Sequence, residues 1–251
     1  MSAVRLRRIT DERSARMLDR HSSLHKVRGH MAATRWATFD CYGTLIDWNA
    51  GIGGELERMF GGEAAPRLLE RYHQLEPELE SVSYRSSREV LTLALEELLR
   101  EEGLQLPEGE AGALARSLPS WRPFPEVPDA LAELRRRGWK LAILSNTDRD
   151  LIAASQKQLG VPFDLIVVAE DVQSYKPAHG HWERFFEATT ADREHHVHVA
   201  ASLFHDIAPG QELGLRTVWI NRLGETAEPA PDRELPDLAA LPDTLDQLVS
   251  A

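Results

Sequence analysis

The run Trp36-Ala-Thr-Phe-Asp40-Cys-Tyr42-Gly43-Thr44-Leu45 reads as a buried strand that stops at an aspartate and enters a tight turn. Open parallel sheets hold their ligands in the crevice beyond the carboxyl ends of the strands. An aspartate at such an end, with Gly43 and the Thr44 hydroxyl behind it, is a candidate nucleophile. Taken alone it could equally cap the turn that follows, because so short a match is a hypothesis about context.

The context comes from both sides. Downstream of Trp121 the chain alternates strand-like and helical patterns. Pro128 opens a helix through Leu131 and Leu134, which Gly138 closes. Lys140 to Asn146 is an apolar run ending in Ser145-Asn146. A helix is expected from Asp150 to Leu159, a strand from Leu165 to Ala169, then a loop with Lys176-Pro177. Trp182, Phe185 and Phe186 mark another helix. Val197 to Ala201 is a strand leading to Asp206, and Thr217 to Ile220 the last clear strand. Such alternation predicts a parallel sheet with right-handed crossovers. The tail beyond Asn221 is rich in proline and acid, with one helix expected near Leu245 and Leu248.

Residues 48–120 have a different texture. Leu56, Met59 and Phe60, then Leu68, Leu69, Tyr72 and Leu75, repeat at helical spacing, as do Val90, Leu91, Ala94, Leu95 and Leu98. Ser86 and Glu89 form a capping-box pattern, and Gly103 a stop. The expected organisation is an α/β core from 34–47 and 121–251, with an all-helical cap inserted over 48–120. Residues 1–33, rich in arginine from Arg5 to Arg28, are expected to be a loosely packed extension. Met31 as the true start, or a basic amphipathic anchor, are further readings of the same stretch.

The bulk properties exclude some functions. In 251 residues there are 40 acidic and 29 basic side chains, a formal net charge of −11. That surplus opposes a nucleic-acid backbone as partner. A negatively charged substrate would therefore need local positive charge. Cys41 is the single cysteine, so no disulfide framework is possible, which fits a cytoplasmic protein. No apolar run approaches the roughly 20 residues of a membrane helix.

Asp40, Ser145-Asn146, Lys176 and Asp206 all follow strands that a parallel sheet would bring together. One polar residue at a strand end is ordinarily a cap; four are a constellation. The series Asp40-x-Tyr42-Gly43-Thr44, Leu144-Ser145-Asn146, Tyr175-Lys176-Pro177 and Asp206 resembles the haloacid dehalogenase superfamily. Within it, the chain is most similar to the L-2-haloacid dehalogenases of type II. This rests also on Val218-Trp-Ile-Asn-Arg222 and on Arg71 with Gln74-Leu75-Glu76, and it runs from about Trp36 to Arg222.

The resemblance implies a Rossmann-like, doubly wound core with a helical cap, cleavage of short 2-haloacids through an aspartyl ester on Asp40, and no metal or cofactor. It also implies a homodimer. Lys176 and Thr44 would orient the Asp40 carboxylate, the lysine also lowering its pKa. Arg71 would receive the halide, although Arg67 and Arg71 could be merely a charged helix face. Ser145 and backbone N–H groups near Cys41 and Asn146 would hold the substrate carboxylate. Tyr42, Leu75 and Trp182 would wall the apolar part, with Trp182 equally readable as core.

Two departures from magnesium-dependent phosphatases of the superfamily point towards carbon–halogen cleavage. Tyr42 stands where those enzymes carry a second aspartate, and Ala201 replaces one acid of their metal pair. A magnesium-dependent phosphatase or phosphonate hydrolase is the alternative, and a non-catalytic protein the third. The chain departs from type II dehalogenases as well. Ala201 and Leu203 replace a serine and an asparagine that hold the attacking water, and Trp182 replaces a tyrosine. Hydrolysis of the ester then leans on Asp206. His205 beside it reads as a packing or surface residue, with a helper role in hydrolysis as the other reading.

Overall fold

The computed structural model describes residues 33–226, 228 and 230–250. Of the expected extension over 1–33, all but the last residue lies outside them. Six strands form one sheet, in the order β3-β2-β1-β4-β5-β6, and every neighbouring pair is parallel. They are β1 Trp36–Phe39, β2 Lys140–Ser145, β3 Leu165–Val168, β4 His196–Ala200, β5 Arg216–Ile220 and β6 Arg233–Leu235. The chain runs outward from β1 to β3, then returns to place β4 on the other side of β1. The strand order therefore reverses between β1 and β4, and the crevice for a ligand opens there. Asp40 follows the first of these strands and Asp206 the second.

Helices cover both faces. α5 (Val127–Arg136), α6 (Arg149–Leu159) and α10 (Leu241–Leu248) bury Leu131, Leu134, Leu151 and Leu245 with Phe39, Ile143 and Val199 of the sheet. α8 (Gly180–Ala188) packs Trp182 and Phe185 with Trp36, Ala142 and Leu144 from the other face. Alternate strand residues thus go to opposite cores, as the pleat requires. Two short helices, α7 (Ala169–Val172) and α9 (Ala208–Glu212), complete the layers. β6, a three-residue edge strand in the acidic tail, has no counterpart in the pattern of the sequence.

Between β1 and Trp121 the structure is helical: α1 (Trp48–Phe60), α2 (Ala65–Val82), α3 (Ser87–Glu102) and α4 (Ala113–Ser117). The capping box at α3 is complete. Ser86 Oγ accepts from the Glu89 N–H, the Glu89 carboxylate accepts from the Ser86 N–H, and Gly103 closes the helix at φ 66°. Two contacts seat this layer on the sheet. The Ser87 and Arg88 N–H groups at the start of α3 donate to Asp148, at 2.8 and 3.0 Å. In α1, Gly51 lies so close to the Trp121 ring that an added Cβ would sit 2.4 Å from it. Only glycine allows that approach.

Candidate active site

Gly43 sets the local geometry of the nucleophile loop. Its φ of 87° lies in the left-handed region that side chains disfavour. The turn so formed brings the Thr44 hydroxyl back to Asp40, to whose Oδ2 it donates at 2.8 Å, while accepting the Ala201 N–H at 2.9 Å. Lys176 arrives from the loop after β3 and is 1% exposed. Its ammonium donates to Asp40 Oδ1 at 2.9 Å, Asp206 Oδ1 at 2.5 Å and the Leu144 carbonyl at 2.9 Å. Those three bonds use all its protons. Asn146 holds that loop: its Oδ1 accepts the Lys176 N–H at 2.7 Å and its amide donates to the Lys176 carbonyl at 3.1 Å.

One ammonium therefore serves two buried carboxylates. Burial pulls the Asp40 carboxyl upward, the Lys176 charge opposes this, the Asp206 charge adds to it, and the net shift is upward. Lys176 lowers Asp40 as expected, but burial and the Asp206 charge outweigh it. Asp206 goes the other way. Burial would raise it too, but Lys176 and a hydrogen bond from His198 outweigh that and keep it ionised. Lys176 stays charged, because its two carboxylates outweigh the burial that would lower it.

These groups form the floor of a cavity of about 800 Å³. Small-molecule sites commonly fall between about 300 and 1,000 Å³. Ser145 lines it, and the Ser145 Oγ is buried with no hydrogen-bond partner among the described residues. Tyr42 lines it too, its hydroxyl sharing a hydrogen bond of 2.9 Å with Ser155. The helical layer contributes Trp48, His73, Glu76 and Glu80 to the wall. Arg222, from the loop after β5, donates to the Thr44 carbonyl at 3.0 Å and to Glu126 at 2.7 Å, with its guanidinium over the Phe124 ring.

Three expected site residues lie elsewhere. Arg71 points away from the cavity and grips Glu101 with two hydrogen bonds, of 2.6 and 2.8 Å, and Gln74 with one of 2.8 Å. Leu75 belongs to the hydrophobic core that α2 shares with the sheet, and so does the Cys41 side chain, although only the backbone N–H of Cys41 is an expected contact. Trp182 is fully buried against β2 and β4, its ring meeting that of His198 edge-on at 5.2 Å. The opposite correction applies to His205. It lines the cavity, its Nδ1 3.0 Å from Ser202 Oγ and its Nε2 3.7 Å from a Glu80 oxygen. Ala201 lines the cavity as well, and Leu203 packs beside Ile207 and Trp219.

Asp40, Thr44, Ser145, Asn146, Lys176 and Asp206 are thus assembled at the strand ends. Sequence reasoning passed over His73 and Glu80, and gave Glu76 and Arg222 only as part of the resemblance, with no role in the site. Glu76 and Glu80 lie four apart on α2, one turn of one face, which was visible in the sequence. Among the described residues, no group of three or more His, Cys, Asp or Glu side chains is placed to hold a metal ion.

A carboxylate fixed by a lysine and a hydroxyl thus stands at the switch point of a parallel sheet, where such folds hold their ligands. The haloacid dehalogenase-like hydrolase family model matches residues 34–214, and the chain belongs to that family. It is 35% identical to an (S)-2-haloacid dehalogenase of Pseudomonas sp. (strain YL), covering 81% of this chain and 90% of that one. It is 31% identical to the haloacetate dehalogenase H-2 of Moraxella sp. (strain B), over 81% and 94%. Among solved structures, the L-2-haloacid dehalogenase of Xanthobacter autotrophicus with chloropropionic acid covalently bound superposes with a TM-score of 0.75. That likeness, at 22% identity over 84% of this chain and 98% of the other, is one of fold.

Proposed function

We propose that this protein hydrolyses the carbon–halogen bond of short 2-haloacids, with Asp40 as nucleophile and the helices of 48–120 as a cap over the site. The observation that carries this is the Asp40 carboxylate, held at one oxygen by Lys176 and at the other by Thr44, on the floor of the cavity. The names of the relatives supply the leaving group. An Asp40 oxygen attacks the halogen-bearing carbon, a C–O bond forms, and halide departs with the electrons of the C–X bond. Water then adds to the carboxyl carbon of the Asp40 ester, losing a proton to Asp206. The acyl C–O bond breaks, Asp206 returns its proton to the departing 2-hydroxy acid oxygen, and the Asp40 carboxyl loses its proton to solvent, which regenerates the carboxylate.

The unpartnered Ser145 Oγ is free to bind the substrate carboxylate. With Arg71 turned outward, Lys176 and Arg222 are the lysine and arginine that line the cavity among the described residues. Arg222 is the one whose donors are not all committed to the floor. It would attract the anion. Neither the halide nor the substrate carboxylate needs a metal, and Tyr42 offers no carboxyl to protonate a phosphate ester's leaving group.

Halide release from a panel of 2-haloacids including fluoroacetate, with magnesium or with EDTA, tests the reading. A phosphate ester is run alongside. Halide release indifferent to EDTA is the expected result. Magnesium-dependent phosphate release without halide would sink it.

The wall adds a pH dependence. Burial pushes Glu76 up to about 7 and, with the Glu76 charge behind it, Glu80 up to about 9. Both are acids that acquire negative charge as pH rises through these values. At a separation of about 8 Å, such a charge would repel a bound anion by about 2 kcal/mol at an effective dielectric of about 20, and by about 1 kcal/mol, or roughly fivefold in affinity, where solvent doubles the screening. KM for 2-chloropropionate is therefore expected to rise roughly fivefold between pH 7 and 9. Glu80→Gln should flatten most of that rise. An unchanged profile in this variant would assign the effect elsewhere.

A further inference from the structure

Behind Asp206, on the face covered by α8, three side chains form a buried line that the reaction above does not use. Thr38 on β1 pairs in register with His198 on β4, and His196 lies two residues back on the same face. All three are fully buried. Thr38 Oγ1 is 2.8 Å from His196 Nε2 and 2.8 Å from His198 Nδ1, and His198 Nε2 is 3.0 Å from Asp206 Oδ1. The aromatic rings of α8 close over the pair, Trp182 on His198 and Phe185 and Phe186 on His196.

The partners fix the direction of this chain. An ionised carboxylate only accepts, so His198 Nε2 carries the proton between them. In neutral His198 the other nitrogen then accepts, and the Thr38 hydroxyl donates to it. Having used its proton, Thr38 Oγ1 accepts from His196 Nε2–H. That leaves His196 Nδ1 as an acceptor with no partner among the described residues. The reverse order would leave a buried N–H donor there instead, and it would put a second cation next to Lys176. Orphaned buried N–H groups are the rarer of the two.

At Asp206 the consequence is asymmetric. Lys176 and His198 both donate to Oδ1. Oδ2 has no partner among the described residues, and Asp206 lines the cavity. With Ala201 and Leu203 offering no polar side chain to hold a water, the aim of that one oxygen matters more. We propose that His198, held by Thr38 and His196, is a positioning residue that fixes Asp206 Oδ1 so that Oδ2 is presented to the water that opens the Asp40 ester. The inference rests on the hydrolytic reading given above.

Single turnovers with enzyme in excess over 2-chloropropionate separate the two steps. Chloride reports ester formation, and lactate its hydrolysis. In His198→Leu, chloride should appear within about threefold of the wild-type rate while lactate lags by roughly 30-fold, within the span of general acid–base effects. The adduct on the Asp40 peptide, seen by mass spectrometry, should accumulate. His198→Gln keeps an N–H donor for Oδ1 and should recover much of the lost hydrolysis. Thr38→Val, which removes the hydroxyl but keeps the shape, should slow lactate more than chloride, and Thr38→Ser should not. This second pair carries the test if the leucine variant does not fold. Equal slowing of both steps, or no lag in lactate, would overturn the inference. Wild-type enzyme that releases chloride through an ester, with variants that clear it normally, would overturn the positioning role alone. Absence of chloride and ester in the wild type would overturn the dehalogenase reading and this inference with it.

Discussion

Replacing Asp40 by asparagine is expected to abolish halide release, with a loss on the order of 10⁴-fold or more, as for other covalent nucleophiles. The amide keeps the shape, its oxygen can still accept from Lys176, and its NH2 can donate to the Thr44 oxygen in place of the bond that Thr44 now donates, so the fold should persist. Circular dichroism and the melting temperature would check that. An amide oxygen is a far poorer nucleophile than a carboxylate, and no ester should be found on residue 40. A folded variant with full activity would defeat the mechanism at its first step. Residual activity that recovers slowly during storage would instead indicate deamidation back to aspartate, which a peptide mass distinguishes.

Lys176→Met should cost both activity and stability. The ammonium is the one cation in contact with Asp40 and Asp206 among the described residues, and all three groups are buried. Removing one partner of a buried ion pair costs about 3–5 kcal/mol, because it leaves uncompensated charge. At about 2–4 °C per kcal/mol for a chain of this size, the melting temperature should fall by roughly 6–20 °C. The sign of the pH dependence is defined. Without the lysine both carboxyls bind protons more tightly in the folded chain than in the unfolded one. The variant should therefore gain stability relative to the wild type as pH falls, and lose it as pH rises. Turnover should drop roughly 10³-fold, the upper range for removing one electrostatic contact at a reacting centre. A melting temperature within a degree of the wild type at neutral pH would contradict the buried-triad account.

The floor of the site was legible because strand ends are fixed by the backbone. Once β1, β2, β3 and β4 are recognised, a parallel sheet has little freedom in where it puts Asp40, Ser145, Lys176 and Asp206. The helical wall was less legible, since a residue's direction there depends on rotation about an axis. Arg71 and Glu76 are five residues apart, which at about 100° per residue sets them roughly 140° apart around α2. If Glu76 and Glu80 face the cavity, Arg71 faces solvent. Leu75 was misplaced, and Trp182 left open between pocket and core, for a related reason: an apolar residue near a site and an apolar residue in the core look alike in sequence. The His196–Thr38–His198 chain left a readable trace, two polar residues at i and i+2 on an otherwise apolar strand. Its meaning depends on the register with β1, which the sequence does not state. β6 escaped because Arg233-Glu234-Leu235 is too short to carry a periodicity.

The unequal sharing of Lys176 has a consequence for the order of events. With both aspartates ionised, the floor bears one more negative charge than positive, and the two acids repel across a single ammonium. On the proposed mechanism, esterification of Asp40 erases its charge, so the lysine is then matched one to one with Asp206. The covalent intermediate is thus the electrically relaxed state of the floor, and the resting enzyme is the frustrated one. Forming the ester lets the repulsion go, and hydrolysing it must restore the repulsion. In the proposed cycle the same three residues would therefore push the first half forward and resist the second. That places the burden of completing turnover on whatever aims the water.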